Sequence, residues 1–417
     1  MNIRIYPGKL TGKVSAVSSK SDAHRILICS ALSNNVTKVN IEKISKDIQV
    51  TIDCLKALGS QISNKESVYT ITPIWDNINR NVVLDCCESG SILRFLFPLA
   101  THLCDSVEFI GQGRLPHRPM DIMVSLLSEH GCSFDNDSLP IKAEGKITSG
   151  KFVLPGNVSS QYVTGLLFVL PLLNGDSEIS FSTPVESQGY IDMTIKTLKL
   201  FNIKIEKTNR GYFIQGCQKY VSPEKTEVEG DWSSAAFWIG SGAINSTICC
   251  ENLLEDSLQG DKEIIELVKR FGGTVSYKEN YIINPSKLNG IDIDASNIPD
   301  LVPILSVIAC YAEGKTHIYN ASRLRFKESD RLSAITDNLG RLGIKIEEDE
   351  DSLTIYGATP TGGIVSGYND HRIVMSMAIL ASMAAEPIII EGAEAVDKSY
   401  PEFFEDYKAL GGKFDVL

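Results

Sequence analysis

The nine residues RLRFKESDR, 323–331, carry four cations (Arg323, Arg325, Lys327, Arg331) and two carboxylates (Glu328, Asp330) in a chain that is acidic overall, with 40 Lys+Arg against 52 Asp+Glu. Such a stretch can bind an anion. It can also move a proton if a carboxylate is held among cations that tune its proton affinity. A helix beginning near Glu328 would place Arg331 one turn on and facing the same way, with Lys327 ending the preceding loop and Arg325 and Asp330 orienting the others. Further cations recur beside polar residues: Lys20 and Arg25 in SKSDAHR, Arg94 in ESGSILR, Arg118 in LPHRPMD, Arg372 in NDHR and Lys398 in DKSYP. An Arg fork pairs with carboxylate or phosphate through two hydrogen bonds, and Lys supplies a compact charge. These residues suit a small ligand with several negative charges.

Other chemistries find less support. There is no GxxxxGK[ST] phosphate loop, and GQGR at 111–114 lacks the strand, glycine and helix context of a dinucleotide site. The six histidines show no metal spacing, and His371 in NDHR is the one placed among the other candidates. No metal and no cofactor is expected. Ten cysteines, at 29, 54, 86, 87, 104, 132, 217, 249, 250 and 310, form no CxxC pair and lie mostly in apolar stretches, the pattern of reduced, buried thiols in a cytosolic protein. The net charge of -12 argues against nucleic acid or an anionic membrane as partner. No apolar run approaches the roughly 18 residues of a membrane span, and MNIRIYPGKL has no apolar signal core. With no heptad pattern, a cytoplasmic monomer is expected.

The cations lie at or near the starts of elements that repeat. Six segments share an acidic residue, an apolar stripe of helical period, a Gly and a short strand: DIQVTIDCLKALGSQI, DIMVSLLSEHGCSF, DMTIKTLKLFNIKI, DKEIIELVKRFGGTV, DRLSAITDNLGRLGIKI and FFEDYKALGGKF. Their glycines, or the Asn replacing one, are Gly59, Gly131, Asn202, Gly272, Gly343 and Gly411, spaced 72, 71, 70, 71 and 68 residues apart. Each follows the last periodic residue of a helix, where a left-handed cap is needed before the chain turns into a strand. A second, more apolar helix starts near Lys20, Ser89, Ser160, Ser233, Asp300 and Asp370. One capped helix start is an ordinary structural feature. Cations coinciding with caps at one period make several such starts a candidate anion site. The fold class is α/β, in two domains of three repeats each, because a 70-residue period is too long for a solenoid of helix pairs. The repeats alone divide the chain at 220–230, around VSPEKTEVEGD.

In order along the chain stand SSKSDAHR, ESGSILR, GRLPHRPMD, SSQYVTGLL, SQGYID, NIPD, RFKESDR, NDHR and DKSYPEFF. With these nine motifs the sequence resembles the 5-enolpyruvylshikimate-3-phosphate synthase family, the 3-phosphoshikimate 1-carboxyvinyltransferases of the shikimate pathway, over essentially its full length. The resemblance implies two domains of three βαβαββ-like units, residues 1–17 with 229–417 and residues 18–228, and an active site in the cleft between them. It implies transfer of the enolpyruvyl group of phosphoenolpyruvate to the 5-hydroxyl of shikimate 3-phosphate, with release of phosphate. By position, Lys20, Ser21, Arg25, Ser159, Ser160, Gln161, Ser187, Tyr190, Asp300, Arg323 and Lys327 resemble the shikimate-phosphate site. Lys20, Gly90, Arg118, Gln161, Arg331, Arg372 and Lys398 resemble the phosphoenolpyruvate site. Among the catalytic candidates, Glu328 is similar to the family's proposed proton shuttle and Asp300 to its base, while Lys20 would stabilise developing charge or share the proton work and His371 stands beside them.

Three positions depart from common family residues: Glu88 for Asn, Ser91 for Thr, and Phe95 where some members have Pro. A carboxylate at 88 would repel an anion unless it pairs or points away, which bears on glyphosate, a ligand of the phosphoenolpyruvate position in the family. Arg323 stands where the family often has Asn. The sister transferase acting on UDP-N-acetylglucosamine carries a reactive Cys in the loop that here reads GQGRLPHRPMD, without one. A non-catalytic anion binder on the same scaffold would be expected to lose the carboxylates that this chain keeps.

Overall fold

In the computed structural model, which describes residues 1–417, the 70-residue period becomes six βαβαββ repeats, each closing a four-stranded sheet. The six four-stranded sheets share one pairing, and a two-stranded parallel pair, Leu288–Asn289 with Ala312–Glu313, stands apart from them. In the second repeat the edge strand Asn81–Asp85 runs parallel to Ser106–Ile110, which pairs antiparallel with Ile141–Gly145, and that strand in turn pairs with Cys132–Phe134. The parallel step needs a crossover, and a helix supplies it; the antiparallel steps close with short turns.

The chain forms two compact units, an inner one, Lys20–Val228, and a terminal one, Met1–Ser19 with Glu229–Leu417. The inner unit holds helices α1 (Lys20–Leu32), α2 (Lys46–Leu58), α3 (Gly90–Leu103), α4 (Asp121–Ser128), α5 (Ser160–Val169) and α6 (Gln188–Leu200). The terminal unit holds α7 (Trp232–Ile244), α8 (Ile264–Phe271), α9 (Val302–Cys310), α10 (Arg331–Arg341), α11 (His371–Ala381) and α12 (Phe403–Ala409). Strands close each unit from both ends of its chain. Lys225–Glu227 lies parallel to Thr37–Asn40 in the inner unit, and Gly12–Ser15 and Asn2–Tyr6 enter the sheets of Ile248–Glu251 and Ile388–Glu391 in the terminal one.

Each unit has its own apolar core. The helices α7, α9 and α11 are buried along their whole length, which is why their sequences are apolar on every face; α8 and α10 bury only one stripe. The left-handed turn expected after each amphipathic helix is present at all six positions, with φ of 118° at Gly59, 93° at Gly131, 62° at Asn202, 99° at Gly272, 80° at Gly343 and 97° at Gly411.

The starts expected near Ser89, Ser233 and Asp370 lie within one residue of those positions, and two others differ from the sequence expectation. Helix α7 begins at Trp232, ahead of Ser233, because Asp231 is the cap that accepts from the backbone N–H of Ser234 at 2.7 Å. Asp300 lies in a 3-10 turn, Pro299–Leu301, that precedes α9, since Pro299 lacks an N–H and opens its own turn. Helix α10 starts at Arg331 rather than near Glu328, because Asp330 caps it through the N–H of Ser333 while Lys327 is extended. Glu328 therefore sits in the approach to the helix.

Gly59 and Gly314 separate the two costs of a side chain at positive φ. At Gly314 (φ 90°) a methyl would meet open space, whereas at Gly59 it would lie 2.1 Å from the carbonyl oxygen of Asn77. Gly314→Ala should cost about 1 kcal/mol, a melting shift of about 2–4 °C. Gly59→Ala must also displace backbone and should lower the melting temperature at least twice as far. Equal shifts in circular-dichroism melts would show that the segment at Asn77 yields freely.

Candidate active site

In the terminal unit the loop 322–330 and the starts of α9, α10 and α11 bring five candidates together around one guanidinium. Arg331, 1% exposed, donates from Nε to Asp370 Oδ2 at 2.8 Å, from Nη1 to Asp300 Oδ1 at 2.7 Å and from Nη2 to Glu328 Oε2 at 2.8 Å. Asp370, fully buried, also accepts from the Ser329 hydroxyl at 3.0 Å and caps α11 through the N–H of Arg372 at 3.0 Å. The Arg372 guanidinium reaches back to Asp300 Oδ2 at 3.3 Å, and Lys327 Nζ lies 3.5 Å from Asp300 Oδ1. Lys398 donates to the carbonyl of Asn369, the residue before Asp370, at 2.5 Å. Arg323 donates to the carbonyl of Ser296.

Electrostatics divide these groups into a base and a face. Asp300, Glu328 and Lys327 keep 17, 18 and 22% of their side chains exposed, while the charges that hold them are buried. Burial alone would raise the Asp300 carboxyl, but Arg372, Lys327 and Arg331 hold it well below the usual carboxylate range. Asp370 is lowered as well: burial opposes its charge, and Arg331 outweighs that opposition. Burial brings the Lys327 ammonium down to about 8, with Asp300 working against the fall. His371 is buried with Nδ1 3.9 Å from Asp370 Oδ1, an ion-pair distance and not a hydrogen bond.

In the inner unit the candidates form two linked groups. Lys20, the first residue of α1, pairs with Asp47 at 2.9 Å, and both side chains are 15% exposed. One turn on, Arg25 is buried over the Phe95 ring at 5.1 Å and donates to Thr194 Oγ1, Ser21 O and Tyr190 O at 2.8, 2.5 and 2.9 Å, tying α1 to α6. Burial lowers it to about 10, which leaves it charged at neutral pH. Ser187, in a left-handed conformation, precedes α6, and its backbone carbonyl accepts from the Tyr190 N–H at 3.1 Å.

The second group surrounds Gln161. Ser159 caps α5 by accepting from the Gln161 N–H at 3.2 Å, and Ser160 is buried behind it. The Gln161 amide accepts from Arg94 at 2.9 Å and donates to the Ser91 hydroxyl at 2.9 Å. Arg94 and the Tyr162 hydroxyl both donate to the carbonyl of Pro119, which fixes the segment bearing Arg118. The Arg118 guanidinium passes over Gly90, where a methyl would sit 2.5 Å from Nη1; only Gly allows that approach.

Three of the departures noted in the sequence have identifiable neighbours here. Glu88 lies against Gly113, where a Cβ would come within 2.8 Å of its carboxyl carbon. Ser91 serves the Gln161 amide, and Phe95 is the platform under Arg25. The sequence reading missed Asp47, Thr194 and Asp370 as site residues. Asp370 had a signal, its place in NDHR beside two candidates; Asp47 and Thr194 are ordinary helix residues with none. No three His, Cys, Asp or Glu side chains are grouped so as to hold a metal ion, and all ten cysteines are free thiols, seven of them buried.

Asp370→Asn would keep the shape of the cap and remove the charge on which Arg331 rests. A carboxyl lowered by folding stabilises the fold above its unfolded value, near 3.8, and loses that contribution as the pH falls through its folded value. The variant should therefore lose about 3 kcal/mol at pH 7, and the deficit should shrink below pH 4. Urea unfolding at pH 7 and pH 3.5 measures both; a deficit independent of pH would assign the loss to packing.

The family model for EPSP synthase (3-phosphoshikimate 1-carboxyvinyltransferase) matches residues 5–407. Two proteins named 3-phosphoshikimate 1-carboxyvinyltransferase, from Clostridium beijerinckii and Clostridioides difficile, are 45% and 42% identical to this chain, each alignment covering 99% of this chain and 98% of the relative. Among solved structures, an EPSP synthase from Acinetobacter baumannii superposes with a TM-score of 0.83 at 24% identity over the full length of both chains. The enolpyruvyl transferase NikO from Streptomyces tendae superposes at 0.80 and 15% identity, covering 99% of this chain and 98% of that one. At those identities the two structures speak for the fold, and the sequence matches carry the family. This chain belongs to the EPSP synthase, or 3-phosphoshikimate 1-carboxyvinyltransferase, family.

Proposed function

We propose that this protein transfers the enolpyruvyl group of phosphoenolpyruvate to the 5-hydroxyl of shikimate 3-phosphate, releasing phosphate. The observation that carries this reading is the pairing of two partly exposed carboxylates, Asp300 and Glu328, on one buried Arg331 with Lys327 and Arg372 beside them. An anion binder has use for the cations alone. A reaction that adds a proton to carbon and removes one from oxygen needs the carboxylates too.

In the forward step the 5-hydroxyl oxygen bonds to C2 of phosphoenolpyruvate while C3 gains a proton, giving a tetrahedral intermediate. In the second step a proton leaves C3, the double bond re-forms and the C2–O bond to phosphate breaks. Asp300 takes the hydroxyl proton and Glu328 gives and recovers the proton at C3. Lys20, already paired with an acid in Asp47, stabilises charge on the transferred group. His371, buried beside Asp370, acts through that carboxylate on Arg331.

For shikimate 3-phosphate the binding groups are Lys20, Ser21, Arg25, Ser159, Ser160, Gln161, Ser187, Tyr190, Asp300, Arg323 and Lys327. For phosphoenolpyruvate they are Lys20, Gly90, Arg118, Gln161, Arg331, Arg372 and Lys398. Within these sets Arg331 is saturated by three carboxylates. Its charge acts on a ligand at range unless one of them yields. The free thiols fit a reducing compartment, which supports a cytoplasmic site of action; no helix is long and apolar enough to cross a membrane.

Phosphate release from phosphoenolpyruvate, measured with shikimate 3-phosphate, with UDP-N-acetylglucosamine and with neither, tests the reading. Release should require the first acceptor; release with the second alone, or with neither acceptor, overturns it. Glu328→Gln and Asp300→Asn should each lower kcat by about 100-fold or more with KM changed little. Wild-type turnover in either variant removes that residue from the mechanism.

A further inference from the structure

Behind Asp300 lies a second carboxyl that the mechanism above does not use. Asp261 sits in the 3-10 turn Gly260–Glu263 and is 1% exposed. Gln259 pins that turn: its Oε1 accepts from the Trp232 N–H at 3.0 Å and the Ser19 hydroxyl at 3.3 Å, and its Nε2 donates to Gly230 O at 2.8 Å. A methyl on Gly260 would lie 3.2 Å from the carbonyl of Asn297, so the turn packs against the chain three residues before Asp300. The Ser233 hydroxyl donates to Asp261 Oδ2, while Oδ1 is buried with no hydrogen-bond partner.

A buried carboxyl with one bare oxygen is costly when ionised, and an amide or hydroxyl would fill the place at lower cost. What an acid adds is charge. The charged groups facing it are Asp300 on the neighbouring 3-10 turn, Arg372 on α11 and Asp231 at the start of α7. Burial and then Asp300 push Asp261 up to about 6, with Arg372 and the Ser233 hydroxyl pulling the other way. Asp300, for its part, is drawn down by three cations, and a carboxylate held so acidic is a weak base.

We propose that Asp261 is a positioning residue for the proton transfer at the substrate hydroxyl, its buried charge opposing the three cations on Asp300 and keeping that carboxylate basic enough to accept a proton. The inference rests on the reading of Asp300 as the base. Protonation of Asp261 removes the opposing charge, so turnover falls on the acid side as Asp261 takes up its proton.

The test is kcat and KM for both substrates from pH 5 to 9. Asp261→Asn should lower kcat at pH 7 by about 3- to 10-fold, leave both KM values within about twofold, and flatten the acid limb near pH 6. Ser233→Ala removes a hydrogen bond that favours the ionised form, which raises the proton affinity of Asp261. Its acid limb should move to higher pH while kcat at pH 9 stays at the wild-type level. A wild-type profile in Asp261→Asn overturns the inference. So does a loss of kcat and KM alike at every pH with a lowered melting temperature, which marks a structural role; if Asp261→Asn does not fold, an unmoved limb in Ser233→Ala overturns it. Asp300→Asn in the same buffers separates the two levels. If it retains turnover, the base assignment itself fails; if it collapses while Asp261→Asn is unchanged, only the present inference fails.

Discussion

One buried guanidinium organises the candidate residues of the terminal unit. Arg331 is almost sealed from solvent, and taking such a charge out of water is tolerable only because Asp370, Asp300 and Glu328 all receive its hydrogen bonds. The arrangement links three chain segments far apart in sequence: the start of α11 through Asp370, the turn before α9 through Asp300, and the approach to α10 through Glu328. Each carboxylate has a second task. Asp370 caps the helix that bears Arg372, and Asp300 and Glu328 each keep an edge exposed to solvent. With Lys327 and Arg372 added, three cations face three carboxylates, so the cluster is close to charge-balanced before any ligand arrives. An anion bound at such a cluster favours uptake of a proton, and a reaction that begins by protonating carbon can use one.

The inner unit follows the same division with different chemistry. Its buried arginines also serve as frame: Arg25 joins α1 to α6, and Arg94 orients the Gln161 amide and holds the segment that carries Arg118. The groups left at the edge are Lys20 and the hydroxyls and amides at helix starts. Phe95 and Gly90 matter for what they permit, a flat platform under one guanidinium and a bare backbone under another. A residue can be indispensable to such a site without touching a ligand.

The repeat was readable because its marker is local: a left-handed residue at the end of an amphipathic helix needs Gly or Asn, and that need recurs at six places whatever surrounds it. Helix starts were less readable where two caps compete. In KESDR both Glu328 and Asp330 could open a helix, and the shorter side chain of Asp330 reaches the N–H of Ser333. The cations of the site stood out by recurrence at one period. Their partners did not, because Asp370 lies 39 residues from Arg331 and Asp47 lies 27 from Lys20, and sequence spacing says nothing of pairs joined by tertiary packing. The departures at Glu88, Ser91 and Phe95 changed meaning for the same reason, each proving to face a neighbour invisible in the linear order.

Arg331→Lys tests the central claim most directly. It keeps the positive charge but cannot bridge three carboxylates through a rigid fork. If Arg331 acts by holding Asp300, Glu328 and Asp370 in register, the folded variant should lose about 100-fold or more in kcat for phosphate release with shikimate 3-phosphate, with a much smaller change in KM. Turnover within about twofold of wild type would show that the charge alone suffices, and would contradict the account.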